Sequence, residues 1–279
     1  MWAFLGSAWV VYQPRYRSAL TPSDVGIDSW QPLQLITEDK VTLSSWLIRT
    51  PGARGILLLI HGFGTSKADL LDVAASFHRA GKFHLILVDL RAHGDSGGNI
   101  LSFGKKEVLD VKAVLSYIDA EPSLKRLPFG CYGLSMGGAI SILAAAEYPE
   151  IRAVVSDSSY SDLGKAIARA LQISYDIPRL VVGQTIIWGT QARIGASALS
   201  LSPASVVLKI SPRPVLIIHG TADLTTPYHE GEEIYNAAVE PKQLWRVQDA
   251  EHVSCFYLDK EGYTKRVLEF FTHGFFGKT

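Results

Sequence analysis

Phe129-Gly130-Cys131-Tyr132-Gly133-Leu134-Ser135-Met136-Gly137-Gly138-Ala139 reads Gly-x-Ser-x-Gly between Gly133 and Gly137. An apolar, strand-like run over 127–132 leads into it. A helix-like run over 138–147 leaves it and stops at Tyr148-Pro149. Strand, sharp turn and helix form the setting in which a serine is held at the tip of a nucleophile elbow. So tight a turn needs neighbours without bulk, and glycines two residues to either side remove the Cβ atoms that would collide. The Ser135 hydroxyl is then aimed away from the sheet. The Met136 N–H falls at a helix start, where donors lack partners and the dipole favours negative charge.

On both sides of this turn, strand-like and helix-like runs alternate. Residues 33–37 and 41–49 read as a hairpin closed by Glu38-Asp39-Lys40. The continuous apolar run over 55–60 marks a strand buried on both faces, and residues 84–89 read as another buried strand. The first ends in His61-Gly62-Phe63-Gly64 and the second runs into a glycine-rich loop, residues 90–98. Helices are predicted over 69–80 and 105–120, and a short strand over 153–156. Such alternation implies a mostly parallel sheet of about eight strands with helices on both faces. The rhythm breaks over 158–209, where helix-like pieces (163–173 and 177–187) come with no convincing strand. Roughly fifty residues exceed what a crossover needs, so a small helical cap roofing the site is predicted there. The sheet resumes at 215–219 and 243–247, with helices over 228–238 and 262–271.

The bulk numbers fit one α/β domain over 31–279, preceded by an apolar segment and linker over 1–30. Of 279 residues, 47% are hydrophobic and 19% charged, enough for a large core and against disorder. Lys plus Arg and Asp plus Glu both total 27, and with no basic stripe this excludes a nucleic-acid partner. Cys131 and Cys255 stand alone, with neither metal spacing nor a disulfide framework. Gly94-Asp95-Ser96-Gly97-Gly98 lacks the Gly-Lys-Ser/Thr ending of a phosphate loop. Residues 1–12 are apolar and carry Trp2 and Trp9, yet are too short for a membrane span of about 20 residues. They also lack the basic start of a signal peptide, so a cytoplasmic location is expected. Two readings of 1–12 stand side by side: an anchor stub or interfacial helix making peripheral membrane contact, or a helix packed on the domain.

A serine hydroxyl is a weak nucleophile at neutral pH. It needs a base within hydrogen-bond reach, and the base needs a carboxylate to hold its tautomer. In open parallel sheets such groups collect beyond the carboxyl ends of the strands. Asp223, in the turn after strand 215–219, and His252, in the loop after strand 243–247, meet this condition in the order Ser, acid, His. Asp157, after the strand that follows the elbow, is the rival acid. Asp249 reads as a solvated loop residue.

Five motifs together resemble an α/β-hydrolase of the serine-esterase type: His61-Gly62-Phe63-Gly64, residues 89–96, Gly133-Leu134-Ser135-Met136-Gly137-Gly138, His219-Gly220-Thr221-Ala222-Asp223 and Glu251-His252. The motifs run from His61 to His252, and the resemblance extends over about residues 31 to 271. Residues 20–26 and the compact cap resemble a membrane-associated subgroup whose members often start with an anchor helix. The resemblance implies Ser135 as nucleophile, Asp223 as acid and His252 as base, with the Phe63 and Met136 N–H groups as oxyanion hole and no metal or cofactor. His61 and His93 are expected to be structural, and His219 to pack beneath the site. Tyr160, Trp188 and Phe256 are candidates to line an acyl pocket. The implied reaction is hydrolysis of small-molecule carboxylic esters with short to medium acyl chains. Thioesters and amides are variants of one mechanism, and a non-catalytic binding protein is the alternative from another class.

Overall fold

Continuous apolar strands force a sheet covered on both sides, and the computed structural model, which describes residues 2–12, 14–175 and 183–277, has that architecture. Eight strands form one sheet: β1 (Trp30–Ile36), β2 (Thr42–Ile48), β3 (Ile56–Ile60), β4 (His84–Val88), β5 (Phe129–Leu134), β6 (Ile151–Asp157), β7 (Val215–Gly220) and β8 (Lys242–Val247). Their order is β1-β2-β4-β3-β5-β6-β7-β8. The predicted hairpin is β1–β2, and β2 also meets β4 antiparallel; every later pairing is parallel. This is the α/β-hydrolase fold. Among the described residues the helices are α1 (Trp2–Val11), α2 (Leu71–Arg79), α3 (Glu107–Ala120), α4 (Met136–Glu147), α5 (Leu163–Tyr175), α6 (Gln184–Ile194), α7 (Pro203–Val206), α8 (Tyr228–Ala237), α9 (Cys255–Leu258) and α10 (Lys260–Phe276).

Strand β3 shows why the run over 55–60 has no polar member. Successive side chains point to opposite faces of a strand. Ile56, Leu58 and Ile60 enter the core shared with Val111, Val114, Ile140 and Leu143 of α3 and α4. Leu57 and Leu59 enter the other core, with Phe77 of α2 and Leu268 and Phe271 of α10. All five β3 residues are fully buried, so a polar residue at any of them would need a partner that neither face offers.

The described residues of segment 158–209 form α5, α6, α7 and short 3-10 turns, with no strand among them. Of the helix expected over 177–187, residues 177–182 lie outside the described residues. The rest falls in α6, which continues to Ile194. Of residues 1–12, helix α1 is packed on the domain. Ser7, Val10 and Val11 are buried. Gly6 lies so close to α6 that a Cβ there would stand 2.7 Å from Ile186 Cδ1. The Val11 carbonyl accepts from the Leu101 N–H at 2.9 Å. Past α1, the Arg15 guanidinium donates to the carbonyls of Ser96 and Gly98. The linker over 21–30 holds a 3-10 turn, Pro22–Val25, whose Asp24 carboxylate accepts from Thr21 N–H at 2.7 Å, and it buries Ile27. Among the described residues no helix is long and apolar enough to cross a membrane.

Candidate active site

Ser135 sits between β5 and α4 with φ 52° and ψ −118°, a conformation outside the regions that L-residues ordinarily occupy. The flanking glycines permit it. A Cβ on Gly133 would lie 2.1 Å from the Gly137 carbonyl oxygen, and one on Gly137 would lie 2.2 Å from that of Ile60. Both obstacles are backbone, so neither can move aside cheaply. The Ser135 N–H donates to Asp157 O at 2.8 Å, tying the turn to the end of β6.

Three side chains meet at this point. His252 Nε2 stands 3.0 Å from Ser135 Oγ, and His252 Nδ1 stands 2.7 Å from Asp223 Oδ2. They come from three strand ends: the β5–α4 turn, the loop after β7 and the loop after β8. Asp223 is clamped in turn. Its Oδ1 accepts from the Thr225 and Thr226 N–H groups at 2.9 and 2.8 Å, and its Oδ2 from Thr226 Oγ1 at 3.0 Å. Burial pushes this carboxyl upward in pKa, but the hydrogen bond and charge of His252 together with the Thr226 donors outweigh it and hold it below the usual carboxylate range. Thr226 Oγ1, which the sequence reading did not single out, also lies 2.9 Å from Ser158 O and 3.2 Å from His252 Nδ1. A hydroxyl three residues after an aspartate is common in turns, so its pattern carried no distinguishing signal.

The rival acid is engaged elsewhere. Asp157 is fully buried and accepts from Tyr263 Oη at 2.6 Å and Ser158 Oγ at 2.8 Å, and burial raises its pKa. Ser158 Oγ accepts from the Val253 N–H at 3.2 Å, so this network braces the His252 loop from below. Asp249 accepts from Gln248 at the surface.

The loop after β3 closes the other side. A Cβ on Gly62 would stand 3.4 Å from Ser135 Cβ, which puts Phe63 beside the elbow. Among the described residues neither the Phe63 nor the Met136 N–H donates to another protein atom. His61 holds this loop: its Nδ1–H donates to Gly62 O at 2.7 Å and its Nε2 accepts from the Leu90 N–H at 3.1 Å. Burial, and then the neighbouring His93, push the His61 pKa down to about 3, so it stays neutral. His93 donates to Arg91 O at 3.0 Å and accepts from the Gly64 N–H at 3.3 Å. His219 lies buried beneath the site and donates to Thr226 O at 2.6 Å.

Above Ser135 opens a cavity of about 290 Å³ whose walls include Phe63, Met136 and Tyr160. Among the described residues that line it, none is charged. Two expected pocket residues are elsewhere. Trp188, on the outer side of α6, is 61% exposed. Phe256 is buried against Tyr257 and Tyr263 in the core on the α10 side of the sheet. Aromatic size alone does not tell core from pocket, and neither ring is among the described residues lining this cavity. No cluster of His, Cys, Asp or Glu fit to hold a metal occurs among the described residues.

A hydroxyl, an imidazole and a buried carboxylate in line can carry out acyl transfer. The family model described as serine aminopeptidase, S33, matches residues 51–206. The chain is 27% identical over 216 residues to the uncharacterized protein YqkD of Bacillus subtilis, covering 77% of this chain and 70% of that one. It is 26% identical over 219 residues to the putative esterase YitV of the same organism, covering 71% and 82%. Among solved structures, the esterase Pf2001 of Pyrococcus furiosus superposes with a TM-score of 0.79 at 27% identity, over 94% of this chain and 97% of that one.

Proposed function

The chain belongs to the serine aminopeptidase S33 family of α/β-hydrolases, and from that premise we propose that it is a serine carboxylesterase acting on esters of uncharged, short to medium acyl chains. The observation that carries this reading is the unbroken hydrogen-bonded line from Ser135 Oγ through His252 to Asp223, with steps of 3.0 and 2.7 Å.

Ser135 Oγ attacks the ester carbonyl carbon as His252 Nε2 takes its proton. The carbonyl π electrons move to oxygen, and the Phe63 and Met136 N–H groups receive that charge. Asp223, acceptor of the Nδ1–H, stabilises the imidazolium. The tetrahedral adduct collapses, the C–O bond to the alcohol breaks, and Nε2–H protonates the departing oxygen. Water, deprotonated by His252, then attacks the acyl-Ser135 carbonyl; the acid leaves and the serine regains its proton. Loss of one oxyanion donor in such a site costs about 10²–10³ in turnover.

The family's description raises a peptidase reading. An aminopeptidase must place a terminal ammonium near the reacting carbon, and burying that charge unpaired is costly. No acidic side chain lines the cavity among the described residues, which favours neutral acyl groups. That the similar proteins YitV and Pf2001 are named as esterases supports the same reading. The test is hydrolysis of p-nitrophenyl esters by wild type and Ser135→Ala. Wild type should turn over and the variant should lose activity by about 10³ or more. A Ser135→Ala protein that hydrolyses the esters at the wild-type rate would overturn the proposal.

A further inference from the structure

Residues Trp2–Val11 are apolar all round and carry no charged side chain, so their spacing defines no inward face. Yet Trp9 and Val10 help line the cavity above Ser135. One side of α5 lines the same cavity: Leu163, Ile167, Leu171 and Ile173 are cavity residues too, spaced mostly at helical intervals. From Leu163 to Ile173 the helix rises about 15 Å. Leu163 is 1% exposed and Ile173 is 63% exposed, so this wall runs from the interior to the surface. Of the two α1 residues in this lining, Trp9 is 45% exposed and Val10 is 7% exposed, which puts Trp9 toward the solvent side. Helix α1 is held in place by contacts outside the sheet: Gly6 against Ile186, Ser7 Oγ 2.9 Å from Arg193 Nε, and the Val11 carbonyl on Leu101.

We propose that α1 is a substrate-binding element. The acyl chain lies between α1 and α5, with Val10 setting the width of the channel and Trp9 bordering its mouth. A space of 290 Å³ holds roughly ten water-sized groups at about 30 Å³ each, so it suits a straight chain of roughly six to ten carbons. The first helix thereby sets the chain-length preference of the enzyme. This inference rests on the esterase reading above.

The test measures kcat/KM for p-nitrophenyl acetate, hexanoate and decanoate with wild type, Val10→Phe and Trp9→Ala. Ser135 labelling by a small fluorophosphonate is followed in parallel. Val10→Phe narrows the channel and should lower the decanoate-to-acetate ratio at least about tenfold, within the range seen for one methylene group too many in a pocket. Trp9→Ala should raise that ratio and move the optimum to longer chains. If Val10→Phe fails to fold by circular dichroism, the half-exposed Trp9→Ala and the cavity-widening Val10→Ala decide. Unchanged ratios in variants whose Ser135 is still labelled would overturn the role of α1 and leave the esterase reading intact. Wild type that neither hydrolyses the esters nor takes the label would overturn the esterase reading itself.

Discussion

Asp223→Asn keeps the shape of the side chain and removes its charge, and the surrounding donors decide which way the amide turns. Oδ1 is fixed by the Thr225 and Thr226 N–H groups at 2.9 and 2.8 Å, so the amide oxygen stays there. The NH₂ group then takes the place of Oδ2, 2.7 Å from His252 Nδ1. It can only donate, so Nδ1 must accept, and the ring proton moves to Nε2. Nε2–H then faces Ser135 Oγ and cannot take its proton. The lost charge adds to this. An imidazolium and a carboxylate 2.7 Å apart attract by about 6 kcal/mol at an effective dielectric constant of about 20, a ceiling on the electrostatic share. A fall in kcat of about 10³–10⁴, or about 4–5.5 kcal/mol, lies beneath that ceiling. The assay is steady-state hydrolysis of p-nitrophenyl hexanoate near pH 8, run beside Asp157→Asn, whose carboxyl touches Tyr263 and Ser158 rather than His252. Asp157→Asn should stay within about tenfold of wild type, as expected when the line of three is left whole. Wild-type turnover by Asp223→Asn, or an equally deep loss in Asp157→Asn, would refute the assignment of the acid.

Gly137→Ala puts a Cβ 2.2 Å from the Ile60 carbonyl oxygen; it should abolish turnover and lower the melting temperature by more than about 5 °C, and a variant that melts with wild type would contradict the packing described for the elbow. Lys67 Nζ, 2.5 Å from Asp89 Oδ2, is almost wholly buried with its partner, so Lys67→Met strands a carboxylate. Urea unfolding should show a loss of about 3–5 kcal/mol, and a loss near zero would mean that the pair contributes nothing. His61, held neutral by burial, has its folded pKa at about 3, below an unfolded value of about 6.5. Its contribution is therefore complete above about pH 6.5 and is lost as pH falls toward about 3, at about 1.4 kcal/mol per pH unit. Unfolding free energies between pH 7 and pH 4 should decline with that added slope, and His61→Asn should decline less steeply; parallel curves would argue against a neutral buried imidazole.

Much of this was legible in the chain. A strand buried on both faces is mostly apolar, which made 55–60, 85–88 and 215–218 visible without neighbours. The glycine pattern marked the elbow because only glycine tolerates backbone at 2.1 and 2.2 Å. Groups that gather at strand ends made Asp223 and His252 findable. What the sequence hid depends on contacts between distant segments. Helix α1 has no polar side to betray its orientation, so nothing in 1–12 reported that Trp9 and Val10 would reach the cavity. Trp188 and Phe256 were chosen for size, whereas Leu163, Ile167 and Leu171, which do line the cavity, look like ordinary core spacing. Asp157 and Asp223 both follow strands, and only the fold reveals that Tyr263 occupies the first and His252 the second.

The most direct measurement is the site and rate of fluorophosphonate modification, read by mass spectrometry of the digested protein in wild type and His252→Ala. One adduct on the peptide bearing Ser135 is expected, formed at least about 10³ more slowly once the imidazole is gone. An adduct on another residue, or equal rates at Ser135 with and without His252, would contradict the claim that this imidazole makes the hydroxyl reactive.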